Sequence, residues 1–284
     1  MDDERTSPEA AASRGGRRPA GTLTFIGTAT TLLRFGAFTV LTDPNFLHRG
    51  QRAYLGKGLW SRRLTEPAMG PEDLPWLDAV VLSHLHGDHF DRIARRTLAR
   101  EVPLLTTPDA ARRLTRWGFS AEGLRTWERF ELRAGDEQLT VESLPAVHAR
   151  GVMGRLLPPV MGSLLEHRVG GAVRHRVYLS GDTLSGEHVS EIARRHPDID
   201  TAVVHLGGTR VLLHTVTMDD AQGVDFLRRC SPRQAVPVHH DDYRVFRSPL
   251  SAFLRAAGAA GLSTRVRTVR RGETIELDGP SPSA

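Results

Sequence analysis

Four potential metal ligands, His84, His86, Asp88 and His89, crowd into the stretch Ser83-His84-Leu85-His86-Gly87-Asp88-His89-Phe90-Asp91. Imidazole nitrogens and carboxylate oxygens are what zinc and neighbouring divalent ions bind. On one tight loop they can converge without help from distant chain. The chemistry open to them is metal-assisted hydrolysis. The plain alternative is a solvated His-rich turn, but several ligand types directly after a strand argue for a site.

Such a loop needs a rigid support. Asp78-Ala79-Val80-Val81-Leu82 just before it is short, apolar and β-branched, and predicts a buried strand. The same arrangement recurs along the chain: Asp43, His148, Asp182, His205 and His239 each stand at or just after the end of an apolar run. Several strand ends supplying His or Asp suggest one sheet edge carrying a shared site. Each has a plainer reading alone. Asp43 before Pro44 can be turn chemistry, Asp182 in Ser180-Gly181-Asp182-Thr183 can cap the next helix, and His148 can be a satisfied strand-end histidine.

The remaining pattern predicts a meander of strands at 22–26, 30–35 and 38–42, then helices at 92–98 and 109–117 around a strand at 103–106. Strands follow at 126–127, 129–133, 138–147, 163–167 and 176–180. Helices at 185–195, 218–229 and 249–257 then alternate with strands at 200–205 and 235–238, and strands at 264–269 and 274–277 close the pattern. Meanders followed by alternation predict an α/β class with mixed β-sheets and helices outside. Two long connections, 45–75 and 149–161, read as functional walls or surface loops. Tyr54, Trp60, Arg62 and Arg63 in the first are candidate pocket residues.

Residues 1–20 lack periodicity and predict a disordered tail, residues 21–278 one domain, and residues 279–284 a second short tail. The net charge of +5 rests almost wholly on arginine, Lys57 being the lone lysine. A modest excess spread along the chain is a weak signal, and no nucleic-acid partner is expected. Cys230 is the only cysteine, so no intrachain disulfide can form. The acidic start Met1-Asp2-Asp3-Glu4 is not a secretory signal, and no run is long enough for stable membrane insertion, so a cytoplasmic protein is expected.

Taken together, the residues resemble a known family. The H-x-H-x-D-H loop, a later lone strand-end histidine, Gly181-Asp182-Thr183 and a final strand-end histidine are similar to the metallo-β-lactamase fold hydrolases. Gly27-Thr28-Ala29-Thr30, Thr42-Asp43-Pro44 and Pro237-Val238-His239-His240-Asp241-Asp242-Tyr243 look closer to one branch. It contains the ascorbate-6-phosphate lactonases and the N-acyl-phosphatidylethanolamine phospholipase D enzymes. The resemblance covers residues 21–278 and implies a four-layer αββα sandwich. It implies two divalent ions, zinc first, with manganese or iron as alternatives. His84, His86 and His148 would hold one ion; Asp88, His89 and His239 the other. Asp182 would bridge both, and Asp43 would orient a ligand histidine from behind.

A hydroxide shared by two ions would then cleave an ester, lactone or phosphodiester of a small anionic substrate, with Asp88 and Asp182 as the catalytic carboxylates. Side chains alternate along a strand, so one of His239 and His240 faces the metals; His239 is favoured, with His240 pointing into the cleft. His205, Arg210 and Tyr243 complete the substrate-facing candidates. His48, His167, His175, His188, His196 and His214 fall outside the pattern. True metallo-β-lactamases usually lack the bridging aspartate, which argues against antibiotic hydrolysis. The alternatives are a phospholipase D-like lipid phosphodiesterase, with acyl chains against Val152, Met153, Leu156, Leu157, Val160 and Met161, and a non-catalytic metal-binding regulatory protein. A homo-oligomer is compatible with everything above.

Overall fold

The computed structural model describes residues 20–151, 154, 157–211 and 214–277. The predicted tails lie outside these residues apart from Ala20, as do Val152, Met153 and Leu156 of the 149–161 loop.

The chain runs through β1 (Gly21–Gly27), β2 (Thr30–Phe35) and β3 (Phe38–Thr42), then a small hairpin of β4 (Arg52–Tyr54) and β5 (Trp60–Arg62). Next come β6 (Ala79–Val81), α1 (Arg92–Thr97), β7 (Leu104–Thr106), α2 (Pro108–Arg116) and β8 (Ala121–Gly123). A four-strand run follows: β9 (Arg129–Ala134), β10 (Glu137–Pro145), β11 (Met161–Val169) and β12 (Ala172–Leu179). After it come α3 (Glu187–Arg195), β13 (Thr201–His205), β14 (Arg210–Val211) and β15 (His214–Thr215). The described chain closes with α4 (Asp220–Cys230), β16 (Gln234–Val238), α5 (Leu250–Ala259) and β17 (Thr274–Leu277).

Two mixed sheets result. The first has seven strands in the order β17-β1-β2-β3-β6-β7-β8 and the second six in the order β16-β13-β12-β11-β10-β9. Meander neighbours pair antiparallel, whereas β3, β6, β7 and β8, and likewise β12, β13 and β16, pair parallel. The parallel strands are covered on both sides, which explains their unbroken apolar runs. In the β6 run, Ala79 and Val81 face the second sheet and Val80 and Leu82 face the helices.

Three apolar layers hold the sandwich. Between the sheets, Phe25, Phe35 and Leu105 pack with Val141, Leu165 and Val203. Outside the first sheet, Val80 and Leu104 meet Ala94 and Leu98 of the α1 segment and Leu114 of α2. Outside the second, Tyr178 and Ala202 meet Ile192, Phe226 and Phe253 of the three later helices. This is the four-layer αββα arrangement. No helix among the described residues is long and apolar enough to cross a membrane.

Local differences from the sequence expectation have physical causes. The 45–75 connection carries the β4–β5 hairpin, with Arg52↔Arg62 and Tyr54↔Trp60 in register, plus a short 3-10 turn at Pro71–Asp73. Thr126 and Trp127 form no strand, because Trp127 adopts a left-handed backbone with φ 72°. Ala121–Gly123 is a strand despite weak propensity, supported by parallel pairing to β7. The expected strand at 264–269 is a 3-10 turn at Ser263–Arg265 and one bridge, Ala235↔Val266.

Candidate metal centre

Every strand leading to a candidate ligand ends at the same rim of the sandwich. The loop after β6 brings His84, His86, Asp88 and His89; the ends of β10, β12 and β16 bring His148, Asp182 and His239. All seven are buried. Four sets of ligand atoms each lie within 4.8 Å of one another: His84, His86 and His148; Asp88, His89 and His239; His84, His89 and Asp182; and Asp43, His89 and His205.

Within the cluster, His84 Nε2 lies 2.8 Å from His86 Nδ1, and His148 Nε2 lies 3.5 Å from the same atom. His89 Nε2 faces His239 Nε2 at 3.1 Å, and Asp182 Oδ2 sits 3.2 Å from His89 Nε2 and 3.9 Å from His84 Nε2. Asp88 Oδ2 lies 3.5 Å from His239 Nε2. Asp182 is therefore next to members of both histidine groups.

The orientation of the rings follows from what lies behind them. His148 Nδ1 donates to the Val216 carbonyl at 2.8 Å and His239 Nδ1 to the Leu206 carbonyl at 3.0 Å. A carbonyl only accepts, so in each ring Nδ1 carries a proton and Nε2 is the nitrogen turned to the cluster. Asp43 lies behind His89, with Oδ2 3.4 Å from Nδ1. Its other oxygen accepts from the Ser83 N–H at 2.8 Å and the Ser83 hydroxyl at 2.9 Å. Two of these residues have left-handed backbones, Asp43 at φ 39° and His239 at φ 58°. Such conformations cost roughly 1–3 kcal/mol each and persist only where the surroundings fix them. Here the His239 N–H donates to the Thr28 carbonyl at 2.6 Å and the Asp43 N–H to the Val81 carbonyl at 3.0 Å.

The electrostatics divide the cluster. Burial and neighbouring imidazoles push His84 well below the usual histidine range, and burial with the nearby His148 brings His86 down to about 4. Burial likewise lowers His148. These shifts favour the neutral form of all three imidazoles, whose lone pairs a metal ion could take. His89 and His239 go the other way: burial alone would lower them, but Asp182, with Asp43 and Asp88, raises His89, and Asp182 with Asp88 raises His239. The Asp43 carboxyl, which burial would raise, is held at about 2 by His89 and His205. Burial would also raise Asp182, but His239 and His89 hold it well below its usual range. Three carboxylates buried this closely call for positive charge among them.

The donor set fits divalent cations. Among the described residues, Asp88 Oδ1 and Asp182 Oδ1 are buried with no hydrogen-bond partner. A cavity of about 30 Å³, room for about one water or ion, is lined by His86, Asp88, His148 and Asp182 with Thr209 and Thr217.

The substrate-facing expectations need correcting. Tyr243 is 1% exposed, and its hydroxyl donates to Asn45 Oδ1 at 3.0 Å, so it is packing rather than pocket. His205 is buried behind the cluster, Nε2 3.4 Å from Asp43 Oδ2 and Nδ1 beside the Ser180 hydroxyl at 3.2 Å. His240 turns away from the cleft, with Nδ1 3.0 Å from Asp241 Oδ2 and its ring 6.3 Å from Phe25. Arg210 is exposed and is not among the cavity-lining residues; its neighbour Thr209 is. Arg63 is fully buried and donates to the Asn45 side chain and backbone carbonyl, while Tyr54 and Trp60 line a neighbouring groove. Met161 is core, buried between the sheets, and not part of an acyl-binding loop.

Three supporting residues carried no recognised signal. Asn45 donates to the Gly87 carbonyl at 2.9 Å and so holds the turn of the histidine loop. Ser83 links Asp43 to the ring of His84, its hydroxyl 3.0 Å from His84 Nδ1. Asp91 closes the motif as a helix cap: Oδ1 accepts from the Ile93 and Ala94 N–H groups at 2.8 Å, and Oδ2 from the Leu47 N–H at 2.6 Å. An aspartate just before a helical run is a capping signal and could have been found; Asn45 and Ser83 depend on contacts across the fold.

Known proteins share this frame. A family model described as a beta-lactamase superfamily domain matches residues 39–240. A metal-dependent hydrolase of Archaeoglobus fulgidus is 24% identical over 259 residues, covering 90% of this chain and 99% of that protein. An N-acyl-phosphatidylethanolamine-hydrolyzing phospholipase D of Caenorhabditis elegans is 27% identical over 234 residues, covering 78% of this chain and 64% of that protein. Among solved structures, an isothiocyanate hydrolase from Delia radicum gut bacteria superposes with a TM-score of 0.76 at 20% identity, covering 90% of this chain and 99% of that one, a likeness of fold.

Proposed function

The chain belongs to the beta-lactamase superfamily, and from that membership we propose that it is a metal-dependent hydrolase holding two divalent ions and cleaving an ester, lactone or phosphodiester of a small anionic molecule. The observation that carries the reading is the pair of buried donor sets, His84, His86 and His148 on one side and Asp88, His89 and His239 on the other, with Asp182 beside both.

In this reading His84 Nε2, His86 Nδ1 and His148 Nε2 would hold one ion, and Asp88, His89 Nε2 and His239 Nε2 the other. When bound, two divalent ions lower the pKa of a coordinated water towards about 7 and stabilise negative charge on the leaving oxygen. The protein supplies the rest. Asp88 Oδ1, buried and unpartnered among the described residues, takes the proton of the attacking water and returns it to the leaving oxygen. Asp182 keeps its negative charge between the two donor sets, and Asp43 and Ser83 fix the rings of His89 and His84 from behind. Zinc is the first expectation and manganese or iron the alternatives, since a His/Asp site accepts each.

Elemental analysis of protein purified without chelator or metal-affinity resin tests the site. About two equivalents of metal are expected, falling in both Asp182→Ala and His86→Ala. No metal even after reloading with zinc and manganese would overturn the reading. A panel of lactones, phosphodiesters and simple esters then tests the reaction. The panel should include an N-acyl-phosphatidylethanolamine, because the worm relative's name makes a lipid phosphodiester the second reading. Full metal occupancy with no turnover on any member would count against a hydrolase.

A further inference from the structure

A groove of about 400 Å³ opens beside the small cavity, and Leu55, His86 and Leu157 line both. His86 turns Nδ1 to the ligand cluster, while a Cβ on Gly56 of the β4–β5 hairpin would lie 3.6 Å from its Nε2. The groove thus begins on the far side of a candidate ligand ring, where the non-reacting part of a bound substrate would extend.

Five cations line it: Arg52 and Lys57 from the hairpin, Arg92 and Arg95 from α1, and Arg113 from α2. Among the described residues none of the five forms an ion pair, whereas Arg112, Arg129, Arg176 and Arg229 elsewhere are each paired with a carboxylate. Asp91 is the one acid in the lining. Its two oxygens are taken by the Phe46, Leu47, Ile93 and Ala94 N–H groups, so it has little left to offer the arginines. The Arg95 and Arg113 guanidinium groups lie 3.9 and 5.4 Å from the ring centre of Trp117. Two like charges against one indole are best relieved by an anion they share. Apolar surface adjoins them. Tyr54 and Trp60 pair with ring centres 4.9 Å apart, yet Trp60 is 57% exposed. Exposed, paired aromatics, their planes tilted by 49°, beside guanidinium groups without an ion pair suit a ligand with a flat or apolar body and a negative group.

We propose that this groove binds the non-reacting part of the substrate, and that this part is an anionic group (sulfonate, phosphate or carboxylate) carried on an aromatic or apolar body. The inference rests on the hydrolase reading for what the groove serves, but its test does not depend on turnover. The probe is 2-naphthalenesulfonate, which has no bond of the kinds the reaction would cleave, titrated into metal-loaded protein and followed by tryptophan fluorescence. The proposal expects saturable binding that weakens with salt, and at least tenfold weaker binding of neutral 2-naphthol. Arg95→Glu combined with Arg113→Glu should weaken the sulfonate at least tenfold, and Trp60→Ala several-fold. Arg228→Glu, exposed on the distant α4, should leave it unchanged.

Equal binding to the charge-reversed protein, equal binding of the neutral analogue, or no binding at all would overturn the proposal. Hydrolysis assayed on the same metal-loaded samples separates the two claims: binding without hydrolysis would sink the catalytic reading and leave the groove, whereas hydrolysis without binding would do the reverse.

Discussion

Gly87→Ala would place a Cβ 2.7 Å from the Tyr54 carbonyl oxygen and 2.8 Å from its nitrogen, both backbone atoms of the hairpin. The Gly87 N–H also donates to that carbonyl at 2.9 Å. The substitution should cost about 1–3 kcal/mol, as overpacking usually does, and should lower metal content because the shift falls between His86 and Asp88. Chemical denaturation with elemental analysis would check both, and unchanged values would mean that the hairpin yields freely. Glu142 gives the pH dependence. Burial would raise this carboxyl, but His196 and Arg129, the latter with Nη2 at 2.8 Å, hold it below its ordinary 4.5. A depressed folded-state value stabilises the protein above pH 4.5, and that contribution is lost as the pH falls below it. Glu142→Gln should therefore flatten the acid limb of the stability profile, measured as melting temperature from pH 6 to pH 3. At this scale the histidine loop was legible because its donors are close in sequence. Asn45 was not, since its partners Gly87 and Tyr243 meet it only after folding. His240 was misread because alternation settles which of two neighbours faces the site, but not what lies on the other side.

The elements were legible where burial is two-sided or the pattern long, as in β6, β10 and β13. They were not legible where pairing alone decides, as in Ala121–Gly123, whose glycine and glutamate disfavour a strand until β7 supplies a partner. Strand β12 offers a test of packing against polarity. Tyr178 is fully buried, and among the described residues its hydroxyl has no hydrogen-bond partner. A buried hydroxyl without a partner costs about 1–3 kcal/mol. Tyr178→Phe should thus leave stability unchanged or raise it by about 1 kcal/mol, while the ring keeps its contact with Phe226 at 5.5 Å. A clear loss in denaturant titration would show that the hydroxyl is satisfied after all.

At the scale of the whole molecule the two sheets share the site, with Asp43, His84, His86, Asp88 and His89 from the first and His148, Asp182 and His239 from the second. Cations bound between them would favour the folded state alone. Removing metal should therefore lower the melting temperature, by the equivalent of about 4 kcal/mol where free metal exceeds its Kd a thousandfold. Calorimetry with and without chelator checks this, and Asp182→Asn should show a smaller difference. The pairing of β1 with β17 has a further consequence, in time. Thr24 meets Thr274, 250 positions further along the chain. At about 5–20 residues per second of synthesis, β1 waits roughly 10–50 s for that neighbour, its free edge able to pair with other chains. The histidine loop emerges early in the same interval, well before Asp182 and His239. A nascent chain thus carries an incomplete ligand set and an open edge together; His239 completes the first, and only β17, some 35 positions later, closes the second.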